Sequence, residues 1–261
     1  MQPLDSLLQG SSQRDQLLPA LKAAETALRT WEPAWTPLLP AAVREEAEQR
    51  LAALSDLSLS SSGGYPGAER RRLLLQRSEL AQPAGELEAG LQGLEISGNF
   101  LFDPAEPGDF RAGLVAAGAG EGELGDLWLR GDRGAQAIIA TDLAQKLDGQ
   151  VGQVRSVEVR FEARPIAELQ LPPLRIERTL TTVEASLRLD AVGSAGFGLS
   201  RSRLVERIRR GEVRIDWQTV TSPSRELAPG QRIQLEGRGE LLIETAAPTQ
   251  RGRWRVVIKR R

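Results

Sequence analysis

The residues with the clearest chemical capacity are arginines in the last third of the chain. Arg203, Arg207 and Arg210 are spaced so that a helix would place them on one outward face, opposite an apolar stripe that begins at Leu204. A guanidinium group can bind a phosphate through two hydrogen bonds and can stack on a base. The spacing therefore predicts a basic helix face that could contact nucleic acid.

The distribution of charge favours phosphate contact over a merely solvated face. Only Glu206 and Glu212 can compensate the five arginines between 201 and 210. Residues 181–261 hold 16 Lys and Arg against 9 Asp and Glu (+7), whereas residues 1–180 hold 18 against 26 (−8). Release of counterions from phosphates supplies most of the non-specific affinity of such basic modules. We expect residues 181–261 to bind structured RNA.

The absence of cysteine and histidine limits the possible chemistry. It excludes disulfides, thiolate nucleophiles, imidazole bases and the usual zinc and iron sites. A magnesium site made of carboxylates remains open, but no residue pattern indicates one. We therefore expect no catalytic residue, no metal and no cofactor. No apolar run approaches the ~20 residues of a membrane helix, and the first residues lack a secretion signal, so we expect a cytoplasmic protein. We also expect it to be a monomer.

The elements that would position the arginines are predicted from caps and breakers. Ser200 can cap a helix over 201–210, and Gly211 can end it in the left-handed conformation. A preceding helix is predicted to begin near Ser186 and to be broken by three glycines, at 193, 196 and 198. Strands with the sequences VRIDW, QRIQLEG, ELLIET and WRVVIKRR complete a small α+β unit.

Residues 85–180 predict a second α+β domain. Strand and helix patterns alternate in the order βαββαβ, with Thr141 as the cap of the second helix and VRSVEVRFEA as the last strand. This is the ferredoxin-like order that RRM domains share. The aromatic residues that stack RNA in RRMs are missing, since the last strand offers only Phe161. We expect an RRM-like scaffold.

Residues 1–84 predict a helical N-terminal region, because apolar positions recur at helical spacing between Gln13 and Leu54. Trp31 and Trp35 lie in a proline-rich connector, where filling a helical core is favoured over stacking on bases. The cluster Arg70, Arg71 and Arg72 fits a solvated patch and an RNA-facing patch equally well. The whole chain is thus predicted to be α+β, with three domains at 1–84, 85–180 and 181–261.

The segment 186–237 resembles the S4 RNA-binding domain. The pattern is a helix, a loop, a helix rich in Ser and Arg, and then Gly-x-Val-x-Val and Gly-x-x-Ile strands. The matching residues are Arg188, Leu189, Asp190, Ser200, Arg201, Arg203, Ile208, Gly211, Val213, Ile215, Gly230 and Ile233. Asp216 stands where Asn is usual in the family. The resemblance implies RNA contacts by Arg188, Ser200, Arg201, Arg203, Arg207, Arg210 and Arg214.

A longer resemblance runs from about residue 63 to the C-terminus. The segments GGYPGAERRRL, ELGDLWL, AQAIIA, SLRLDAV and VRIDWQTV are similar, in this order, to YlmH-like proteins, above all to the branch labelled photosystem II S4 domain protein. This resemblance implies rRNA and tRNA binding on the large ribosomal subunit, during rescue of stalled translation. Any influence on photosynthesis would be indirect.

Two other classes of function remain open. Arg188-Leu189-Asp190 matches the Arg-Leu-Asp of pseudouridine synthases, RNA-modifying enzymes whose Asp attacks the target nucleotide. In those enzymes the triplet follows the S4 unit, whereas here it opens that unit, so a non-catalytic RNA-binding protein is favoured. A protein–protein adaptor with a basic face is the other alternative.

Overall fold

The computed structural model describes residues 4–11, 13–83, 86–174, 176–235 and 238–261. The chain forms two compact units, Met1–Pro172 and Pro173–Arg261. Both units combine helices with antiparallel sheets, so the predicted α+β class is confirmed. The predicted domain boundary at residues 84 and 85 lies outside the described residues. The three-domain division stays a proposal, and the first strand of the second unit begins before the predicted boundary at 180, at Arg178.

The first unit begins with two helices packed on a small sheet. Helices α1 (Arg14–Thr30) and α2 (Ala41–Leu51) confirm the helical spacing. Strands β1 (Ala34–Trp35), β2 (Leu57–Ser62) and β3 (Arg72–Arg77) form an antiparallel sheet in the order β1-β3-β2. The prediction of a helical N-terminal region therefore omitted this sheet. The run Leu73–Leu75 is fully buried in the central strand, and such a run carries no periodicity that separates strand from helix.

The prediction that Trp31 and Trp35 fill a helical core is wrong. Trp31 is 51% exposed; it ends α1 in the left-handed conformation (φ 65°), and the Arg77 guanidinium lies 3.8 Å from its ring centroid. Trp35 lies half-buried on β1. The core between the helices and the sheet consists of Leu, Ala and Val side chains.

The second part of this unit has the predicted order of strands and helices along the chain, with one additional strand, Val151–Val154. Its elements are β4 (Leu91–Ser97), α3 (Pro107–Ala116), β5 (Leu124–Leu129), β6 (Gly134–Ala140), α4 (Thr141–Leu147), β7 (Val151–Val154) and β8 (Val157–Arg164). The antiparallel sheet has the order β5-β6-β4-β8-β7. VRSVEVRFEA is thus the turn and second strand of a hairpin, because the chain reverses at Arg155 (φ 54°). Thr141 is the first residue of α4, and the cap is Ala140.

The second unit packs two helices on one face of a six-stranded antiparallel sheet. Its elements are β9 (Arg178–Glu184), α5 (Leu189–Phe197), α6 (Arg201–Arg209), β10 (Val213–Ile215), β11 (Gln218–Thr219), β12 (Arg232–Leu235), β13 (Gly239–Pro248) and β14 (Trp254–Arg260). The sheet order is β11-β10-β12-β13-β14-β9. One apolar cluster lies between the helices and the sheet. In the described ranges, no helix has the length and apolar character needed to cross a bilayer.

The predicted break of α5 at Gly193 and Gly196 is wrong. The helix continues through both glycines and ends at Gly198, which is left-handed (φ 66°). A Cβ at Gly193 would lie 2.8 Å from the side chain of Leu204, and one at Gly196 would collide with Leu241. These two glycines therefore allow close packing of α5 against its neighbours.

We expect Gly196→Ala to lower the free energy of unfolding by about 1–3 kcal/mol, because the added methyl group overpacks the contact with Leu241. Gly108→Ala in α3 is the matched control, since a Cβ there meets nothing within 4 Å. It should be neutral or stabilise by up to about 1 kcal/mol. Urea unfolding of both variants measures the difference, and equal effects would contradict the packing role.

Candidate nucleic-acid interface

Helix α6 is positioned as the sequence predicts. The Ser200 hydroxyl accepts a hydrogen bond from the Arg203 backbone N–H at 3.4 Å, and Gly211 follows the helix in the left-handed conformation (φ 76°). Leu204 and Ile208 are fully buried in the core of the second unit. The remaining faces of the helix are consequently left to the arginines.

The arginines of α6 differ in how far their charge is compensated. Arg207 Nε is 2.5 Å from Glu212 Oε2, and Arg210 Nη2 is 2.6 Å from Glu206 Oε1. Arg203 and Arg209 are exposed and have no acidic partner among the described residues. The Arg210–Glu206 pair is exposed, and such pairs contribute only about 0–1 kcal/mol, so phosphate could replace that glutamate; the Arg207–Glu212 pair is half-buried. Arg209 was not among the predicted contacts, because the prediction followed a single helical face.

Arg188 and Arg201 are brought together by Asp190. Arg188 donates from Nε to Asp190 Oδ1 at 3.1 Å and from Nη2 to Oδ2 at 3.0 Å. Arg201 donates to the same Oδ2 from Nε at 3.1 Å and from Nη2 at 3.0 Å. Asp190 is 4% exposed, whereas both arginines reach the surface. Burial raises the pKa of Asp190, but the hydrogen bonds and charges of Arg188 and Arg201 outweigh it and hold that pKa below its ordinary value.

The backbone around Asp190 is held by the loop that follows β11. Leu189 N–H donates to Arg225 O at 2.8 Å, and Asp190 N–H donates to Pro223 O at 3.0 Å. The first amide groups of α5 are therefore occupied by the chain itself. Any anion at this end of the unit must be bound by the guanidinium groups.

Arg214 lies on a different surface from the α6 arginines. Val213 and Ile215 are buried against the helices, so the alternation of the strand directs the exposed Arg214 to the opposite face of the sheet. Its cross-strand neighbours are Thr219 and Gln234. The predicted set thus divides into the α6 arginines, the pair at Asp190, and Arg214 alone.

The cluster Arg70, Arg71 and Arg72 is half-buried, and its guanidinium groups donate to backbone carbonyls. Arg70 Nε donates to Leu124 O at 2.7 Å, Arg71 Nε to Ala68 O at 2.7 Å, and Arg72 Nε to Thr36 O at 2.7 Å. Burial lowers the pKa of Arg72, and the charge of Asp142 partly opposes that shift. Arg70 and Arg72 therefore fasten separate segments of the first unit to one another, whereas Arg71 bonds within its own loop.

Part of the sheet face that binds bases in RRM domains is covered here by the chain itself, over β5 and β6. On β6, Ile138 is fully buried and Gln136 is 4% exposed. The Gln136 side-chain oxygen accepts from the Gln170 N–H at 3.0 Å, and Trp128 Nε1 donates to Gln170 O at 3.0 Å. Residues 165–170 therefore lie across this face.

Residues 63–70 complete the cover. A Cβ at Gly64 would lie 3.2 Å from Ile138 Cγ2, and the Tyr65 ring meets the Trp128 ring edge-on at 5.8 Å. Phe161, the aromatic residue noted from the sequence, is buried with Ile96 in the core on the helix side. The β5 and β6 part of this face is consequently a scaffold, whereas Arg160 and Arg164 on β8 are exposed on the same face.

The likeness of the chain to known proteins follows this domain arrangement. A family model described as "YlmH, N-terminal" matches residues 12–80, and one described as "S4 domain" matches residues 187–233. The chain is 28% identical over 207 residues to "Ribosome-associated protein quality control protein P2" of Bacillus subtilis (strain 168), a match that covers 79% of each chain. The solved structure "Cell division protein ylmH from Streptococcus pneumoniae" aligns with a TM-score of 0.46 at 19% identity, over 60% of this chain and 93% of that one.

The resemblance predicted from the sequence, to YlmH-like proteins with a C-terminal S4 domain, is confirmed. The S4 match spans α5, α6, β10, β11 and the start of β12, and so includes every predicted RNA-contact residue. The closer likeness to the photosystem II branch stays a prediction. Among the described residues no cluster of three or more acidic side chains could hold a metal ion.

We expect Asp190→Asn to lower the free energy of unfolding by about 1–3 kcal/mol at pH 7. The cost is below the ~3–5 kcal/mol of breaking a fully buried pair, because both arginines reach solvent. The pKa of Asp190 in the folded protein is depressed. The ionised carboxylate therefore stabilises the fold fully at pH values above the ordinary carboxyl pKa of about 3.9, and this contribution is lost as the pH falls through the lower pKa of the folded state. Urea unfolding at pH 7 and at about pH 3 should show the gap between wild type and variant narrowing.

Asp132→Asn is the control for this experiment, since Asp132 is exposed and forms no side-chain ion pair in the described part of the chain. Its stability should match that of the wild type at both pH values. A gap for Asp190→Asn that stays constant with pH would contradict the role assigned to the carboxylate charge.

Proposed function

We propose that this YlmH-like chain is a non-catalytic RNA-binding protein that recognises structured rRNA or tRNA on the large ribosomal subunit and acts in translation quality control. Exposed arginines without acidic partners in the described chain lie on α6, inside the S4 match, and they carry this proposal. The printed name of the Bacillus subtilis relative supports the ribosomal setting. In this proposal the protein is a cytoplasmic monomer and needs no cofactor.

Arg203 and Arg209 would meet the RNA first, because no internal pair has to be broken. Arg207 and Arg210 would exchange their glutamate partners for phosphate oxygens. Such exchange is feasible because exposed ion pairs are weak and are screened by salt. Arg188 and Arg201 would contribute the sides of their guanidinium groups that face away from Asp190.

Arg214 and Ser200 would play separate parts in this proposal. Arg214, on the opposite sheet face, would need a contact of its own with the RNA. The Ser200 hydroxyl caps α6, and so holds the arginine helix in place whether or not it also reaches a phosphate.

The buried position of Asp190 supports a non-catalytic role. A nucleophilic carboxylate must reach the carbon that it attacks. Here both carboxylate oxygens accept hydrogen bonds from arginines, and the side chain is 5% exposed. The Arg-Leu-Asp triplet is therefore better explained as the ion pair that begins α5 than as the catalytic motif of a pseudouridine synthase.

We expect Arg203→Glu with Arg207→Glu to weaken binding to rRNA or tRNA at least tenfold at about 0.15 M salt, and to lower the salt slope by about two. The first change places a carboxylate three residues after the Ser200 cap, where it completes a capping box, so the helix should be retained. Arg14→Glu with Lys22→Glu, two exposed positions on α1, changes the net charge equally and should leave affinity within about twofold. Fluorescence anisotropy titrations measure both quantities.

The outcome contrary to this proposal is unchanged RNA affinity in the Arg203 and Arg207 variant. A protein adaptor is distinguished by fractionation of lysates with and without RNase. An adaptor would keep its partners after digestion, whereas a ribosome-bound protein would move to light fractions.

Incubation of the purified chain with bulk rRNA and tRNA should convert no uridine to pseudouridine, as measured by mass spectrometry of nucleosides. The expectation rests on the closed environment of Asp190. Conversion by the wild type that Asp190→Ala abolishes would overturn the non-catalytic assignment and favour the enzyme alternative.

A further inference from the structure

The long hairpin of β13 and β14 extends past β12, its neighbour on one side. Strand β12 pairs only with residues 239–242 of β13, so the part of β13 beyond residue 243 has its neighbour on one side only, in β14. The hairpin tip, residues 249–255, is closed by a hydrogen bond from Thr249 N–H to Arg253 O at 2.7 Å and one from Arg253 N–H to the Thr249 hydroxyl at 3.1 Å. The tip is therefore a built turn.

The hairpin tip carries three cations that nothing in the described chain neutralises. Arg251, Arg253 and Arg255 are exposed and have no acidic partner among the described residues. At the other end of the hairpin Lys259 is paired, since its Nζ lies 2.8 Å from a carboxylate oxygen of Glu244. The Arg261 side chain there likewise lies 2.7 Å from a glutamate carboxylate. Positive charge is thus left uncompensated at the tip.

The three arginines share one end of the second unit with the start of α5. Trp254 pairs with Glu184 at the end of β9, and the chain runs from there through Arg188 into α5. Val256 is buried, so Arg253 and Arg255 project from the other side of the strand, about 7 Å apart along it. They therefore lie on the sheet face opposite α5 and α6, which Arg214 also occupies, and they add positive charge beyond residue 233, where the S4 match ends.

We propose that the hairpin tip is a second contact for RNA phosphates, outside the S4 segment. The inference rests on the proposed function and extends its site. Guanidinium groups bind phosphate through paired hydrogen bonds. The turn itself is polar or small apart from the arginines, with Thr249, Gln250 and Gly252, and Trp254 after it is half-buried. A stable protein interface has an apolar core, which residues 249–253 lack, so a nucleic-acid backbone fits them better than an acidic protein.

The test compares two triple variants of the full chain on a labelled stem-loop RNA and on purified large ribosomal subunits. The tip variant, which removes the three tip charges, carries Arg251→Gln, Arg253→Gln and Arg255→Gln. The control variant, which removes three exposed charges of the first unit, carries Arg14→Gln, Arg29→Gln and Arg133→Gln.

We expect the tip variant to lower the slope of log affinity against log salt concentration by about two to three and to weaken affinity at least tenfold. The reason is that fewer counterions leave the RNA phosphates when three guanidinium groups are missing. The control variant should stay within about twofold of the wild type. Circular dichroism should show the same fold for both variants, so that a loss of affinity reports on the tip charges themselves.

Each outcome separates the two proposals. If the Arg203 and Arg207 variant loses RNA binding while the tip variant binds like the wild type, the second contact is overturned and the proposed function stands. If the wild type binds neither RNA probe, both are overturned. If the tip variant binds RNA normally but loses a partner that survives RNase treatment, the tip binds protein instead.

Discussion

The buried carboxylate of Asp190 is the constraint on which the basic end of the second unit depends. A carboxylate that is 4% exposed is tolerated only with compensating partners. Arg188 supplies one from the start of α5 and Arg201 the other from the start of α6, and so they fix how the two helices meet. The same pairing commits part of the charge of these arginines to the fold. The cations left for a ligand are therefore fewer than the composition suggests.

The difference between total and available charge affects how the basic module is interpreted. Residues 181–261 have a net charge of +7, yet several arginines and Lys259 are paired within the unit. Cations without an acidic partner in the described chain include Arg203 and Arg209 on α6, the three arginines at the tip of the long hairpin, and Arg214 on the opposite sheet face. The positions of cations without an internal partner are thus a better guide to the ligand than the total number of cations.

The sequence predicted the elements whose signals are local. Helix α6 was predicted because a cap, an apolar stripe and a terminal glycine agree. Gly193 and Gly196 were wrongly predicted to break α5. They allow α5 to pack closely against its neighbours, and one of these neighbours, Leu241, is too distant in sequence for a local pattern to reveal the contact. The hairpin at Arg155 was missed, since its turn uses a left-handed residue other than glycine or asparagine. The pairing of Asp190 with Arg201 depends on how two helices cross, which no local pattern contains.

The bonds from Arg70 and Arg72 to backbone carbonyls have a consequence for how the first unit unfolds. They join the N-terminal helices and small sheet to the RRM-like sheet, and the Asp126 carboxylate accepts further hydrogen bonds from the Tyr65 hydroxyl at 2.7 Å and from the Glu69 N–H at 2.7 Å. Neither part can open without exposing groups that the other part satisfies. The two parts should therefore behave as a single cooperative folding unit, whose amide hydrogens exchange with solvent together.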